Sequence, residues 1–163
     1  MTTPRIRPFE PSDLPQLQRI RAAAFAPVFA SFRRIVGADI AAVALMTAEQ
    51  EQADLLDRIC GAPNEHEMYV IEHDGAPVGF CALSMNVATK VGEIGLNAVH
   101  PDHQGRGLAA LMYAHALTRM RAAGMKVATV GTGADDSHAP ARRAYAKAGF
   151  DAGIPSIYYY RML

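Results

Sequence analysis

The residues of this chain whose types and spacing suggest chemistry gather in its second half. Gln104-Gly105-Arg106-Gly107-Leu108-Ala109 stands between an apolar strand-like run and the start of a strong amphipathic helix. The first backbone N–H groups of such a helix have no partner within it and carry partial positive charge, so they suit an anion. Glycines at 105 and 107 let a phosphate approach the main chain, and Arg106 adds charge at the rim. The same glycines also read as a tight turn that needs positive φ. Glu93 lies four residues before Asn97 in the preceding run. Residues 93, 95, 97 and 99 of a regular strand share one face, so Glu93 is placed to take a proton directly or through water. A solvated or salt-bridged strand glutamate is the other reading of that residue.

Two familiar phosphate-binding patterns do not fit. Gly105-x-Gly107-x-x-Ala110 formally satisfies a dinucleotide fingerprint, but those glycines should follow a first strand closely and precede several parallel strands. Here Pro101 to Gln104 intervene, and the chain after Ala110 has room for about two strands. A P-loop needs Gly-Lys-Ser/Thr, which is absent. Six histidines, at 66, 73, 100, 103, 115 and 138, show neither HExxH nor paired Cys/His spacing, so no metal is expected. Cys60 and Cys81 are far apart and lack CxxC spacing, reading as buried thiols of a reducing, cytoplasmic compartment.

The elements that must position these residues follow from periodicity. Arg5 to Phe9 alternates as a short strand, and Glu10-Pro11-Ser12-Asp13 breaks it before Leu14, Leu17, Ile20, Ala24 and Phe25 recur at helical spacing. Ala26 to Ile59 reads as less regular helix, punctuated at Gly37-Ala38-Asp39 and stopped by Gly61-Ala-Pro63-Asn64. Met68 to Glu72 and Val78 to Met85 flank Asp74-Gly75, a strong hairpin signal, and Val91 to Val99 completes a meander. Leu108, Leu111, Met112, Ala116 and Met120 form the apolar stripe of a helix ending at Gly124. Lys126 to Val130 reads as a buried strand, His138 to Ala148 as a helix, and Ser156 to Met162 as a final strand. That order describes an α+β protein with mixed strand directions.

With 163 residues, half of them hydrophobic, the chain can bury one core and is expected to form one domain over residues 1–163. Sixteen basic and sixteen acidic residues leave no net charge, so no global field draws nucleic acid or an anionic membrane. No apolar run reaches membrane-spanning length.

At the glycine turn the sequence resembles the GNAT superfamily of acyl-CoA-dependent N-acetyltransferases, whose signature is Gln or Arg, two residues, Gly, one residue, then Gly or Ala. Gln104, Gly107 and Ala109 fit it. The likeness extends upstream through Asn97-Ala98-Val99 and downstream through His138-Ala-Pro-Ala141-Arg-Arg-Ala-Tyr145-Ala-Lys-Ala-Gly149-Phe150, similar to the family's second motif helix. His138 departs from the Asn that many members carry there. The resemblance implies a GNAT fold, layered α/β/α, whose mixed and mostly antiparallel central sheet is splayed at the cofactor cleft.

It also implies roles. Backbone groups of Asn97, Ala98 and Val99 would pair with the pantetheine arm of acetyl-CoA, as a strand would. The N–H groups of Gln104, Gly105, Arg106, Gly107, Leu108, Ala109 and Ala110 would take the pyrophosphate, with His138 near the cofactor. Tyr145 would be the general acid as the thiolate leaves, and Glu93 the general base. A base is needed because an amine of pKa about 10.4 is unprotonated in only about one molecule in 2,500 at pH 7. The implied function is direct acetyl transfer from acetyl-CoA to a primary amine in a ternary complex. The alternative is a catalytically inactive acyl-CoA-binding or sensor module of the same fold. Arg142, Arg143 and Lys147 form either a solvated basic face or a contact to the coenzyme 3′-phosphate. The acceptor is a small-molecule or peptide amine, shaped by residues 26–46 and the last strand. Phe29 and Phe32 read as a pocket wall or as the surface of a homodimer.

Overall fold

The structure, a computed structural model, describes residues 3–61 and 66–163, so most of the predicted Gly61–Asn64 stop lies outside the described residues. One five-stranded sheet runs in chain order, β1 (Arg5–Pro8), β2 (His66–His73), β3 (Ala76–Asn86), β4 (Val91–Val99) and β5 (Val127–Val130). The first four strands are antiparallel, and β5 joins β4 in parallel. Asp74 and Gly75 both take positive φ, 51° and 79°, and close the β2–β3 hairpin where the Asp-Gly pair predicted it.

Helices α1 (Leu14–Val36), α2 (Ala38–Ala44) and α3 (Ala48–Cys60) fill the connection between β1 and β2. Leu17 and Ile20 of α1 and Leu56 and Ile59 of α3 cover one sheet face, meeting Met68, Val70, Phe80, Ala82 and Ala98. On the other face lie α4 (Leu108–Ala122) and α5 (Ala139–Lys147). There Leu108, Met112, Ala116 and Met120 repeat every four residues and bury against Ile71, Val78, Cys81, Leu83, Ile94 and Val99. A Cβ on Gly92 would stand 2.7 Å from Met120 Sδ, so a glycine there lets α4 settle directly on β4. These three layers are the expected α/β/α architecture.

Four expectations change. Leu111 faces solvent, and Tyr113 takes the buried place beside Met112. The predicted strand over Lys126–Val130 is an exposed sheet edge rather than a buried strand. Phe29 is buried and Phe32 stacks on His138, so neither forms a free surface. Ser156–Met162 makes no strand: every residue from Asp151 to Leu163 is exposed and outside the sheet.

Candidate active site

The β4 strand carries the irregularity on which the site is built. Its pairing with β3 runs Gly79 to Val99, Phe80 to Ala98 and Cys81 to Asn97, then slips so that Leu83 opposes Ile94. The extra residue is a bulge at Gly95-Leu96, and it reverses which side chains face which helix layer. Ile94 and Val99 both join the α4/α5 core despite their odd separation, whereas Ala98 and Leu96 belong to the α1/α3 side. Glu93 and Asn97 therefore lie on opposite faces of the sheet, a correction to the regular-strand reading.

On its other edge β4 pairs with β5 only from Val91–Val127 to Ile94–Val130. Past Ile94 the two parallel strands separate at the bulge, leaving the β4 main chain at Gly95 to Ala98 without a ladder partner from β5. This is the splayed cleft.

Three side chains converge behind the opening. Tyr113 donates its hydroxyl to Asn97 Oδ1 at 2.9 Å, and Asn97 Nδ2 donates to Gly95 O at 2.9 Å and to the Tyr145 hydroxyl oxygen at 3.2 Å. The Gly95 carbonyl can only accept, so it fixes the amide orientation without ambiguity. Tyr145 then accepts from Asn97, which leaves its own proton for another acceptor. The Tyr113 and Tyr145 rings lie 5.0 Å apart, and Phe150 packs edge-on to Tyr145 at 6.1 Å. Burial first, and then the neighbouring Tyr145 hydroxyl, pushes the Tyr113 phenol well above its ordinary range, so Tyr113 stays a donor.

The glycine turn lies just beyond. A short turn over Pro101–His103 leads from β4 to Gln104, and Gly105 and Gly107 adopt φ of 74° and 78°, which non-glycine residues rarely take. Gly107 is the N-cap of α4 and no side chain caps the helix, so its first N–H groups remain available. Nothing of the protein comes within 4 Å of a Cβ built on either glycine, so the space over the turn is open. Gln104 differs from expectation. Its N–H is taken by Pro101 O at 3.2 Å, and its side chain donates to Val99 O at 2.9 Å. It ties the turn to the end of β4, and the free donors begin at Gly105. Arg106 lies at the rim with its guanidinium on Asp102 O at 3.0 Å.

A second cluster sits where β5 turns into α5. His138 Nδ1 meets Asp135 Oδ1 at 2.6 Å, and the other carboxylate oxygen accepts from Ser31 Oγ at 2.8 Å and from the Ser137 hydroxyl. Burial pushes the Asp135 carboxyl up, but the hydrogen bonds from Ser137, Ser31 and His138 outweigh it and hold the group well below the usual carboxylate range. Phe32 stacks on the His138 ring at 5.7 Å. Arg142 is committed to this loop, donating to Gly133 O and Asp135 O at 2.7 Å, so it is not a free phosphate contact. The far half of α1 is thereby pinned to the start of α5.

Glu93 is exposed on the α1/α3 face with its Cα opposite Ser84 on β3 and Thr129 on β5. Tyr113, Asp135 and Ser31 were not singled out from sequence. For Tyr113 a signal existed, since it follows Met112 on the stripe that repeats every four residues. Asp135 and Ser31 are 104 positions apart and meet only in the fold. No group of three or more His, Cys, Asp or Glu side chains suited to a metal ion occurs among the described residues. No described helix is long and apolar enough to cross a membrane.

An opened pair of parallel strands leading to uncapped N–H donors at a helix start defines a site class, a cleft for an extended ligand with an anionic end. Residues 36–150, well over half of the chain, match the Acetyltransferase (GNAT) family, and the chain belongs to that family. Among solved structures it is similar to a GNAT family acetyltransferase from Brucella melitensis in complex with acetyl-CoA. The two are 22% identical with a TM-score of 0.64, over 92% of this chain and 84% of that one. It also resembles the ribosomal-protein-S18-alanine N-acetyltransferase of Escherichia coli, at 18% identity and a TM-score of 0.66, over 93% and 80% of the two chains. A third is AAC(6′)-Iy with the bisubstrate analogue CoA-S-monomethyl-acetylneamine, at 16% identity and a TM-score of 0.65, over 99% and 100%. No curated protein matches the chain by sequence.

Proposed function

We propose that this protein, as one GNAT domain over residues 1–163, transfers an acetyl group from acetyl-CoA to a primary amine by direct attack in a ternary complex. The observation that carries the reading is the Tyr145 hydroxyl, held by Asn97 at the point where β4 loses its β5 partner. Acetyl-CoA supplies an activated acyl group on a thiol that must leave. Around it, the open main chain of Asn97 and Ala98 would hold the pantetheine arm. Val99 contributes less than expected, because Gln104 occupies its carbonyl. The N–H groups of Gly105, Arg106, Gly107, Leu108, Ala109 and Ala110 would hold the pyrophosphate, in the manner of helix N-termini generally. His138, fixed by Asp135, would flank the arm from the α5 side.

The two faces of the sheet then divide the proton traffic. The amine nitrogen bonds to the acyl carbon as the carbon–sulfur bond breaks. Glu93, on the α1/α3 face, takes the proton released by the amine. Tyr145, on the α4/α5 face, gives a hydrogen bond and then its proton to the sulfur. The hydrogen bond to the charge developing on sulfur precedes full proton transfer. Burial holds the two thiols up, Cys60 at about 11 and Cys81 at about 12. Thiols held in the protonated form are poor nucleophiles, which favours direct attack over an acyl-cysteine. Reduced thiols also suit a cytoplasmic protein.

The acceptor amine would approach Glu93 from the side of the sheet on which α1 packs against β4. The similar structures include a ribosomal-protein-S18-alanine N-acetyltransferase and an aminoglycoside N-acetyltransferase, whose acceptors differ widely in size and chemistry. The test is coenzyme A release against a panel of peptide and small-molecule amines, with Glu93→Gln beside the wild type. The expected result is turnover with at least one acceptor and a kcat/KM loss of about 100-fold in the variant. Calorimetric binding of coenzyme A with no turnover on any amine would reduce the protein to a binding module, and no binding would overturn the reading.

A further inference from the structure

One pair of titratable side chains takes no part in the proton transfers of Glu93 and Tyr145. His138 and Asp135 sit where the β5–α5 connection meets α1, and α1 in turn packs against β4. Phe32 of α1 covers a face of the imidazole, and Ser31 of α1 donates to Asp135 at 2.8 Å. Asp135 Oδ1 lies 2.6 Å from Nδ1. Gly133 presses on the same edge of the ring, where a Cβ would stand 2.5 Å from Nδ1 and 2.8 Å from Cε1. Arg142 fixes that loop through Gly133 O and Asp135 O, both at 2.7 Å.

This setting decides where the ring carries its proton. Burial at Asp135 is outweighed by hydrogen bonds from Ser137, Ser31 and His138, so its carboxylate is ionised and can only accept. Nδ1 is therefore the donor, and the free lone pair of the neutral ring is on Nε2. Nε2 has no hydrogen-bond partner among the described residues. His138 is the N-cap of α5, with helical φ and ψ of −92° and −1°, and precedes Tyr145 by seven residues. Two turns of helix separate them, so both project from one face of α5, about 10 Å apart along its axis. Nε2 thus opens between the Tyr145 side of the cleft and α1.

We propose that His138 Nε2 takes the first proton from the acceptor, converting a bound ammonium ion to the free amine before attack, with Asp135 as its positioning residue. This role rests on the acetyl-transfer reading and accounts for a proton that Glu93 and Tyr145 leave unassigned. A primary ammonium ion loses two protons in becoming an amide. The first must go before attack: its N–H bond breaks, the electron pair stays on nitrogen as the nucleophilic lone pair, and the proton bonds to Nε2. The second leaves as the carbon–nitrogen bond forms, and Glu93 takes it. One of the two returns through solvent to Tyr145, which has given its own to sulfur, and the other is released. His138 suits the first step by its place against α1, whereas Glu93 stands in the part of β4 still paired with β5, opposite Thr129. While Nε2 holds the proton, the ionised Asp135 balances the charge of the ring.

The test compares an accepted primary amine with a weakly basic analogue, fluorinated beside the amine-bearing carbon, that is mostly free base at pH 7. His138→Asn is expected to bind coenzyme A in calorimetry, to lose about 100-fold in kcat/KM with the basic amine, and to lose less than about threefold with the analogue. Asp135→Asn is expected to show the same dependence on amine basicity. Equal losses with both amines in either variant, or no loss with either amine, would overturn the proposal. On the unaltered chain, nitrogen-15 NMR is expected to find neutral His138 protonated at Nδ1, and protonation at Nε2 would overturn the proposal whatever the variants do. An unaltered protein inactive on every amine would overturn the acetyl-transfer reading and this role with it, whereas an active one matched by His138→Asn would overturn this role alone.

Discussion

Replacing Tyr145 by Phe removes one oxygen and little else. The ring keeps its neighbours, Tyr113 at 5.0 Å and Phe150 at 6.1 Å, and Asn97 Nδ2 keeps its bond to Gly95 O at 2.9 Å. The stability cost is then about 1 kcal/mol or less, a fall in Tm of roughly 2–4 °C for a chain of this size. What is lost is the hydrogen bond to charge that develops on the departing sulfur. A hydrogen bond to a charged group contributes about 1.5–3 kcal/mol, which predicts a kcat lowered roughly 10- to 150-fold. The bond matters only as the thiolate forms, so KM for acetyl-CoA should change little. Steady-state kinetics with acetyl-CoA and with an acetyl thioester of a more acidic thiol separate the possibilities. The more acidic thiol leaves without needing a proton, and with it the gap between wild type and Tyr145→Phe should shrink. An equal loss with both thioesters, or an undiminished kcat with a raised KM, would refute the general-acid assignment and leave Tyr145 as a packing or binding residue.

Tyr113→Phe deletes the donor that orients the Asn97 amide, so kcat should fall about threefold to tenfold, and adding it to Tyr145→Phe should cost little more, as measured by a double-mutant cycle. Asp135→Asn should lower Tm at pH 7 by a few degrees, since it loosens the bonds to Ser31, Ser137 and His138. The folded Asp135 carboxyl titrates below its unfolded value near 3.9, so its stabilisation is present above about pH 4 and drains away as pH falls further. The difference between wild type and Asp135→Asn in thermal melts should therefore narrow toward pH 3; a constant gap would count against an ionised Asp135 as the cause.

Local rules settled much of this protein from its sequence. Asp74-Gly75 specified a hairpin because both residues tolerate positive φ, and they adopt it. Gly105 and Gly107 before an amphipathic stripe specified uncapped donors at a helix start, since that property belongs to the backbone of the turn and helix alone. What required the tertiary structure was everything that depends on register or on long separations. The slip between β3 and β4 moved Glu93 and Asn97 to opposite faces, and a bulge leaves no trace in a run such as Glu-Ile-Gly-Leu-Asn. The Tyr113-Asn97-Tyr145 relay joins three elements 16 and 48 positions apart, and Ser31 reaches Asp135 across 104. The tail's alternation predicts a strand over Ser156–Met162, but the fold leaves it outside the sheet, because a pattern alone does not choose an edge to pair with. That choice depends on where α5 ends and which edge remains open, and both are set by packing rather than by the residues of the tail itself.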